Sequence, residues 1–578
     1  MRRLARYIRG TICWYIVGIA SIVLSIALDM FNPYIVKVIV DDIIAGGKTE
    51  LLKGALLALA GITVSRTVLG YLKQYIFDCT SSKIVLRLRK DLFDHIQSLS
   101  FSFFDRTNTG ELMSRIKDDT ENVMAGTGYG ISLFIEQVIY FVVASVMLFT
   151  LNWKLALVSM LVMPLIAWIA VKLEKRIDEA YGRLSDQRAV LTTTAQENIA
   201  GVRLVKAFNR EKYEINKFYE QNKENYRLNL EQSKVWADFF PKIEFLSNIV
   251  VVLVIGVGGY FVIGDEISVG TLVAFSNYVN MLIWPMRSIG WLTNVLAQCK
   301  ASLDKIDKIF DEKPEIHNPD NPKVPEKFQG HVEFRNVGLK FGEFSVLNNI
   351  NIDARPGSTI AIMGITGSGK SSIINLIGRF YDCTSGSVLV DGIDVREMDL
   401  KFLRGQISVV MQDTFLFSDT IEDNIKFGSH TLTEDELLRA SEDAKVSEFV
   451  EHLKEGYKTV VGERGIGLSG GQKQRISIAR ALSKGRKILI LDDATSALDM
   501  ETEYEIQKAL ERRKDVTKFI IAHRISAVKN ADEILIIENG EIIERGTHDQ
   551  LLKLKGKYYR TYCEQYGNAE AELEKEVV

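Results

Sequence analysis

The sequence predicts a multi-domain fold in which an all-α membrane region of six helices is followed by an α/β domain. The first 310 residues contain the long apolar stretches and all six tryptophans: Trp14, Trp153, Trp168, Trp236, Trp284 and Trp291. From His331 onward the sequence begins the alternating apolar pattern that is typical of β-strands. The mean hydropathy of the whole chain is only +0.05, because it averages these two unlike halves.

Six apolar stretches are long enough to cross a bilayer. They cover about residues 11–40, 52–77, 131–150, 152–173, 243–263 and 270–297. Asp29, Glu136 and Arg287 interrupt three of them, which favours helices that line a wet cavity or pack inside a bundle. The alternative, buried helices of a soluble domain, is disfavoured because so many long spans follow one another.

Two charged stretches between the spans, residues 78–130 and 174–242, keep a helical period with few glycine or proline breaks. Helices of roughly 30 residues would extend about 45 Å from the bilayer, with the turns at 103–119 and 202–214 at their tips. Arginines precede the first span, whereas the loops on the opposite side hold one basic residue, Lys48. The positive-inside rule therefore predicts a cytoplasmic N-terminus.

The run from Gly364 to Ser371 matches the phosphate-loop pattern G-x-x-x-x-G-K-[ST]. It follows a strand pattern at Thr359–Met363 and precedes a helix start at Ser372–Ile377, which is the context this loop requires. A glycine turn in a structural loop is the alternative interpretation. We expect this segment to bind the phosphates of ATP through Gly364, Ile365, Thr366, Gly367, Ser368, Gly369, Lys370, Ser371 and Ser372.

A buried strand is predicted at Ile488–Leu491, and it would place Asp492 at its end, where an acidic residue can hold nucleotide-bound Mg²⁺. We expect the Ser371 hydroxyl to bind the same Mg²⁺. A third motif precedes a helix pattern at Ile476–Leu482 and consists of Leu468, Ser469, Gly470, Gly471 and Gln472.

This third motif resembles the signature motif of ATP-binding-cassette (ABC) proteins, and the order of motifs from Phe341 to His523 fits that family throughout. In the family two cassettes face head to tail, and each signature caps the ATP held by the other chain's phosphate loop. The resemblance therefore implies an α/β P-loop ABC ATPase domain that works as a dimer. Six spans with two long hairpins likewise resemble the exporter class, in which the hairpin tips are coupling helices.

The resemblance also implies roles for single residues. Phe341 occupies the place of the aromatic residue that stacks on adenine, where the family usually has tyrosine. Gln412 matches the residue that contacts Mg²⁺ and the attacking water, so it is expected to bind nucleotide and metal and to act in catalysis. His523 matches the switch histidine at the terminal phosphate. The loop 496–499 resembles the segment that links the two sites, and 459–465 resembles a segment typical of exporters.

Asp493 stands where these ATPases normally have a glutamate that polarises the attacking water. Aspartate keeps the charge but is one methylene shorter, so its carboxylate would lie about 1 Å short, which can cost on the order of 10²-fold in rate, roughly 2.7 kcal/mol. The chain is therefore expected to bind ATP well and to hydrolyse it slowly at its own site.

These observations predict a half-size exporter that moves an amphipathic or hydrophobic substrate (drug, lipid or peptide) by alternating access. The expected organisation is a transmembrane domain at 1–310, a linker at 311–330, a nucleotide-binding domain at 331–567 and an acidic tail at 568–578. The alternative is an ATP-gated channel or regulatory subunit in which nucleotide binding is the signal. A net charge of −3 and the lack of a basic stripe argue against a nucleic-acid partner.

The expected partners are the lipid bilayer and a second half-transporter. A sibling chain with glutamate at the catalytic position is favoured, because this chain's intact signature would complete the sibling's site. A slow homodimer, or a deliberate substitution at Asp493, is the alternative. The retained His523 counts against the heterodimer, because the weakened chains of such heterodimers often lose more than one catalytic element.

Overall fold

The computed structural model describes residues 2–429, 431–462 and 465–567. It divides into two compact units, the first formed by Met1–Ser98 with Thr107–Lys313 and the second by Leu99–Arg106 with Pro314–Val578. The predicted acidic tail lies outside the described residues, as do two positions of the segment 459–465.

The first unit is helical. The helices of the N-terminal part of the chain are α1 (Arg2–Arg9), α2 (Ile12–Val38), α3 (Glu50–Ser98), α4 (Phe101–Arg106), α5 (Thr109–Ser114), α6 (Thr120–Ala125), α7 (Ile131–Leu151), α8 (Trp153–Ala200), α9 (Val202–Ala207), α10 (Glu211–Ile263) and α11 (Val269–Asp311). All belong to the first unit except α4, which belongs to the second. Short π-helical segments extend α2 and join α5, α6 and α7: Ile39–Ala45, Arg115–Asp119 and Gly126–Gly130.

Five helical stretches of the described residues are long and apolar enough to cross a membrane: Ile12–Ala45, Glu50–Ser98, Thr109–Leu151, Trp153–Ala200 and Glu211–Ile263. They contain the first five predicted spans. The sixth predicted span lies in α11. This stretch is helical, but the polar side chains of Asn277, Asn280 and Arg287 lower its mean hydropathy.

The charged residues that interrupt the predicted spans are paired inside the helical bundle. Each has an ion-pair partner on another helix: Asp29 with Arg66 at 2.5 Å, Glu136 with Lys73 at 2.8 Å and Arg287 with Glu244 at 2.8 Å. Pairing of this kind is expected of charges that face a bundle interior rather than lipid.

The charged stretches predicted as hairpins are helical. Helix α3 continues without a break from the second predicted span to Ser98, and α8 and α10 extend in the same way from the fourth and fifth. Helices α8 and α10 run antiparallel and are linked by polar pairs along their length: Arg183 with Glu231, Gln187 with Gln221, and Asn198 with Glu214.

The second unit is an α/β domain. Its strands are β1 (Val332–Phe341), β2 (Phe344–Ala354), β3 (Thr359–Gly364), β4 (Ser385–Val390), β5 (Ile393–Asp394), β6 (Ile407–Val410), β7 (Ile488–Asp492), β8 (Thr517–Ile521), β9 (Glu533–Glu538) and β10 (Glu541–Gly546). Besides α4, its helices are α12 (Lys370–Ile377), α13 (Leu400–Gly405), α14 (Ile421–Lys426), α15 (Glu434–Asp443), α16 (Ser447–Val450), α17 (Gly470–Ser483), α18 (Met500–Glu511), α19 (Ile525–Val528), α20 (His548–Leu554) and α21 (Lys557–Tyr566).

The strands form two sheets. An antiparallel sheet has the order β2-β1-β4-β5, and a six-stranded sheet has the order β10-β9-β3-β8-β7-β6, in which only β10 pairs antiparallel. Strand β7 is buried along its whole length, as its continuous apolar run predicts for the centre of a parallel sheet. Side chains of both sheets share one core, which includes Val332, Ile362 and Phe519.

Helix α12 begins two residues earlier than the sequence predicts, at Lys370 rather than Ser372, because the turn of the phosphate loop is completed at Gly369, whose φ is +102°. Helix α17 begins at Gly470, within the signature motif, because the Ser469 side chain caps it and stabilises the first turn.

Candidate functional site

The phosphate loop connects β3 to α12 and lies against β2. A Cβ atom at Gly369 would come within 2.7 Å of the Leu347 side chain and 3.0 Å of the Val346 carbonyl oxygen, so only glycine fits at this approach and at this positive φ. Thr366 and Gly367 are exposed at the tip of the loop. The phosphate-loop pattern and the packing at Gly369 therefore both indicate an open loop that exposes backbone N–H groups at a helix N-terminus.

The buried ammonium group of Lys370 is held by the loop itself. It donates hydrogen bonds of 2.9 Å to the carbonyl oxygens of Gly364 and Ile365. Burial lowers the pKa of Lys370, and the nearby carboxylates of Asp492 and Asp493 oppose this shift. These contacts place the cation beside the loop and close to both acidic residues.

The loop and the acidic strand meet at Ser371 and Asp492. The Ser371 hydroxyl donates a hydrogen bond of 3.0 Å to the Asp492 carboxylate, which is buried at the end of β7. Burial raises the pKa of Asp492, and Asp493 adds to the rise, whereas the Ser371 hydrogen bond and the charges of Lys370 and His523 oppose it. The structure thus brings five residues predicted from separate motifs into one cluster.

This cluster fits Mg²⁺ and a triphosphate. A hydroxyl and a carboxylate oxygen side by side are the hard oxygen donors that Mg²⁺ prefers. The buried hydroxyl of Ser368 has no hydrogen-bond partner among the described residues, which suits a group that meets a phosphate oxygen. The loop N–H groups and the cation of Lys370 supply the remaining positive charge.

Asp493 has an unusual backbone. Its φ is +48°, a left-handed conformation that aspartate tolerates better than most residues. Its N–H donates to the Ile521 carbonyl oxygen at 2.9 Å, and its carbonyl oxygen accepts from the Ser496 hydroxyl at 3.0 Å. The neighbouring strand and the following loop therefore fix where this carboxylate begins.

The other predicted nucleotide contacts are exposed. Phe341 ends β1, is 43% exposed, and meets Tyr381 edge to face at 5.3 Å between ring centroids. Gln412 follows β6 and is exposed, and His523 is exposed two residues after β8. The geometry of the described residues leaves the ring and both side chains accessible to a ligand.

The signature residues lie at the start of α17. The Ser469 hydroxyl accepts from the Gln472 N–H, and the Gln472 side chain accepts from the Ser469 N–H, which forms a capping box. Gly470 and Gly471 face Ala497, and Leu468 packs on the neighbouring helical core. The signature of this chain thus contacts the loop that follows its own acidic strand.

Sequence reasoning missed Gln474, which is buried two residues beyond the signature. Its side-chain oxygen accepts from the Ala497 N–H at 2.9 Å, and its amide donates to the Ser496 hydroxyl at 3.1 Å. Its position between the signature and the apolar residues of the same helix is the sequence signal that could have identified it. This residue ties the signature helix to the loop after Asp493.

A second missed group surrounds the buried carboxylate of Glu503. It accepts hydrogen bonds from Thr495 at 2.8 Å and Ser526 at 3.4 Å and pairs with Arg524 at 3.5 Å. Arg524 also donates to the Ser496 carbonyl oxygen at 3.1 Å. The loops after β7 and β8 are therefore joined, although no local pattern in the sequence marks the connection.

Comparison with known proteins covers both halves of the chain. Residues 15–286 match the family model of the ABC transporter transmembrane region, and residues 347–496 match the ABC transporter family model.

Curated relatives match over nearly the whole length. The chain is 38% identical over 552 residues to an uncharacterized ABC transporter ATP-binding protein, YknU, of Bacillus subtilis (strain 168), which covers 95% of this chain and 94% of the relative. It is 36% identical over 570 residues to the ATP-dependent lipid A-core flippase of Syntrophus aciditrophicus (strain SB), covering 98% and 94%.

Among solved structures, that of a bacterial Atm1-family ABC exporter with ATP bound matches with a TM-score of 0.80 and 26% identity, covering 97% of this chain and 98% of that one. Both family models match this chain, and the curated relatives and this exporter structure match over nearly its whole length. The chain belongs to the ABC transporter family.

Proposed function

We propose that this chain is one half of a dimeric, ATP-driven exporter and that its own nucleotide site turns over slowly. The slow turnover is inferred from Asp493. This residue directly follows the Mg²⁺-site residue Asp492, and its side chain is shorter than the glutamate of the family. The backbone of Asp493 is fixed by the hydrogen bond from its N–H to Ile521. The chain therefore has little freedom to bring the shorter carboxylate closer to an attacking water.

ATP binding does not depend on the length of the Asp493 side chain. Lys370 and the loop N–H groups bind the phosphates, Phe341 offers its exposed ring to adenine, and Ser371 with Asp492 and Gln412 would hold Mg²⁺. Magnesium bound there would neutralise charge on the β- and γ-phosphates. His523 contacts the terminal phosphate, and Leu468–Gln472 cap the ATP held by the partner chain.

We also propose an amphipathic substrate, as the relative named ATP-dependent lipid A-core flippase suggests. The membrane helices carry polar groups as well as apolar surface. The buried Asp29 carboxylate accepts from the Tyr140 hydroxyl at 2.7 Å and from the Asn32 amide at 2.9 Å, besides its ion pair with Arg66. A groove of about 380 Å³ beside Asn32 and Asn280 extends this polar region.

The first coupling helix is α4, which packs on the ATPase domain. The Phe101 ring lies 4.6 Å from that of Phe380 between centroids, and Asp105 accepts from the Tyr381 hydroxyl at 2.7 Å. Tyr381 also contacts Phe341. Nucleotide binding at Phe341 is thus next to the aromatic residues that hold α4, and this adjacency supports transmission from ATP to the membrane helices. The ATPase domain and both hairpin tips would lie in the cytoplasm.

The partner is a sibling half-transporter with glutamate at the catalytic position. The intact capping box of Ser469 and Gln472 supports this choice, because an ordered signature is what the sibling's site requires. The test is the subunit composition and ATPase rate of the complex purified from its native host, with Asp493→Glu beside it. We expect two different chains and a rate that rises with glutamate. A single-species dimer with brisk turnover, unimproved by Asp493→Glu, would refute the proposal.

A further inference from the structure

The switch loop around His523 is held by a side chain from the C-terminal helix. The amide of Gln565, on α21, donates a hydrogen bond of 2.7 Å to the His523 carbonyl oxygen. The oxygen of the same amide accepts from the Ile525 N–H at 2.8 Å. One side chain therefore binds the backbone on both sides of Arg524, where α19 begins.

Helix α21 is itself anchored at its other end. Tyr558 is fully buried against residues that include Met363 of β3, and its hydroxyl lies 2.6 Å from the His548 ring nitrogen Nδ1. The Tyr558 N–H donates to the Glu544 carboxylate at 3.1 Å. Through these contacts α21 connects the strand before the phosphate loop to the switch loop.

The nucleotide site and α21 also border the same groove. A cavity of about 190 Å³ is lined by Gly364, His523 and Thr561, among others. His523 and Arg524 are exposed between the buried residues Ala522 and Ile525, so side-chain packing does not hold these two positions. The Arg524 contact with Ser496 holds the loop from the opposite side.

We propose that Gln565 is a positioning residue for ATP hydrolysis, which holds the backbone of His523 so that its imidazole meets the terminal phosphate. The inference rests on the proposed role of His523. Gln565 does not touch the nucleotide and acts only through the loop. The alternative is that its amide merely fastens the end of α21 to the domain.

The test follows hydrolysis at this chain's own site in the purified dimeric transporter. Photolabelling with 8-azido-ATP distinguishes the chains, since an α-phosphate label reports all bound nucleotide and a γ-phosphate label reports only unhydrolysed ATP. We expect Gln565→Ala to slow loss of the γ-label about three- to tenfold, the rate equivalent of a neutral hydrogen bond. Binding measured with the α-label should stay within about twofold, because the loop around Lys370 is untouched.

Two further variants separate positioning from simple packing. Gln565→Glu keeps the acceptor for Ile525 but turns a carboxylate oxygen toward the His523 carbonyl, so we expect it to be as slow as alanine. Glu564→Gln, at the exposed neighbouring position, should behave as the unmodified chain. Full activity of Gln565→Glu would overturn the inference, because fastening of α21 alone would then suffice.

A double-mutant cycle with His523→Ala completes the test. If Gln565 acts through His523, adding Gln565→Ala to His523→Ala should change the rate by less than about twofold. Multiplicative effects would contradict the positioning role, as would a loss of nucleotide binding or of thermal stability that accounts for the slower rate. If His523→Ala alone left hydrolysis unchanged, the proposed role of His523 would fail instead.

Discussion

The Ser371 hydroxyl donates a hydrogen bond of 3.0 Å to the carboxylate of Asp492, although the two residues are 121 positions apart in the chain. This contact joins the first turn of α12 to the end of β7. It brings a hydroxyl and a carboxylate oxygen together beside the Lys370 cation, which is the arrangement that a Mg²⁺-bound triphosphate requires.

Removing the cation should weaken ATP binding without affecting the fold. Lys370→Ala loses a charge-assisted contact to phosphate worth about 1.5–3 kcal/mol, so we expect the Kd for ATP to rise tenfold or more. The measurement is an equilibrium binding isotherm on the purified transporter, with Lys401→Ala, an exposed lysine of α13, as the control. An unchanged isotherm for Lys370→Ala would overturn the assignment of the phosphate site.

The parts of this site that the sequence predicts are those with local signals. Strands β3 and β7 are continuous apolar runs, and the glycines of the phosphate loop stand at a fixed spacing. Each motif can therefore be recognised from its own residues alone. Contacts between distant segments, such as Gln565 with His523, leave no periodic pattern, because a single exposed glutamine on a helix resembles any other.

The first unit shows a second limit of sequence reasoning. Its spans and charged helices follow from apolar length and helical period, but the π-helical segments at Arg115–Asp119 and Gly126–Gly130 were not predicted. One extra residue in a turn leaves the apolar composition unchanged, so composition cannot reveal it. The charged partners of Asp29 and Glu136 likewise lie on other helices, so they can be identified only from the packed structure.

The buried carboxylate of Asp492 should lower the stability of the folded protein, although the nucleotide site requires it. Its pKa is raised in the folded protein, chiefly by burial, so the folded state binds the proton more tightly than the unfolded state. The resulting cost to stability is fully present above the raised pKa and disappears as the pH falls below the unfolded value of about 3.9.

We therefore expect Asp492→Asn to raise the Tm of the nucleotide-free protein at pH 8, to raise it progressively less as the pH falls toward the unfolded value of about 3.9, and to abolish Mg²⁺-dependent hydrolysis at this chain's own site. Asparagine retains an acceptor for the Ser371 hydroxyl, so the local fold should persist. Asp515→Asn is the control, since the side chain of Asp515 is 82% exposed. A lower Tm for Asp492→Asn at pH 8 would show that the charge stabilises the fold.

The buried amide of Gln474 should affect hydrolysis more than binding. Gln474→Ala leaves the Ala497 N–H without the acceptor it has at 2.9 Å, and it frees the loop that begins at Asp493. The loss of a neutral hydrogen bond costs about 0.5–1.5 kcal/mol, so we expect roughly a three- to tenfold loss of ATPase rate at this chain's own site and little change in the Kd for ATP. The exposed Gln329→Ala is the matched control, and equal effects of the two variants on the rate would contradict the role of Gln474.

The proposed orientation in the membrane can be tested by labelling single cysteines from outside intact cells. The background requires replacement of all five native cysteines, so that only the introduced cysteine can react. Thr49, in the loop after α2, is exposed and should react as Thr49→Cys with an impermeant maleimide.

Cysteines at the two hairpin tips should be protected in the same cells. Thr109→Cys, at the start of α5, and Lys206→Cys, in α9, are exposed on the protein and should react only after the cells are opened. The expectation follows from the positive-inside rule, because the arginines before α2 hold that end of the first span in the cytoplasm and each later span reverses direction. Labelling of both tips in intact cells, with Thr49→Cys protected, would reverse the topology and with it the cytoplasmic location of the ATPase domain.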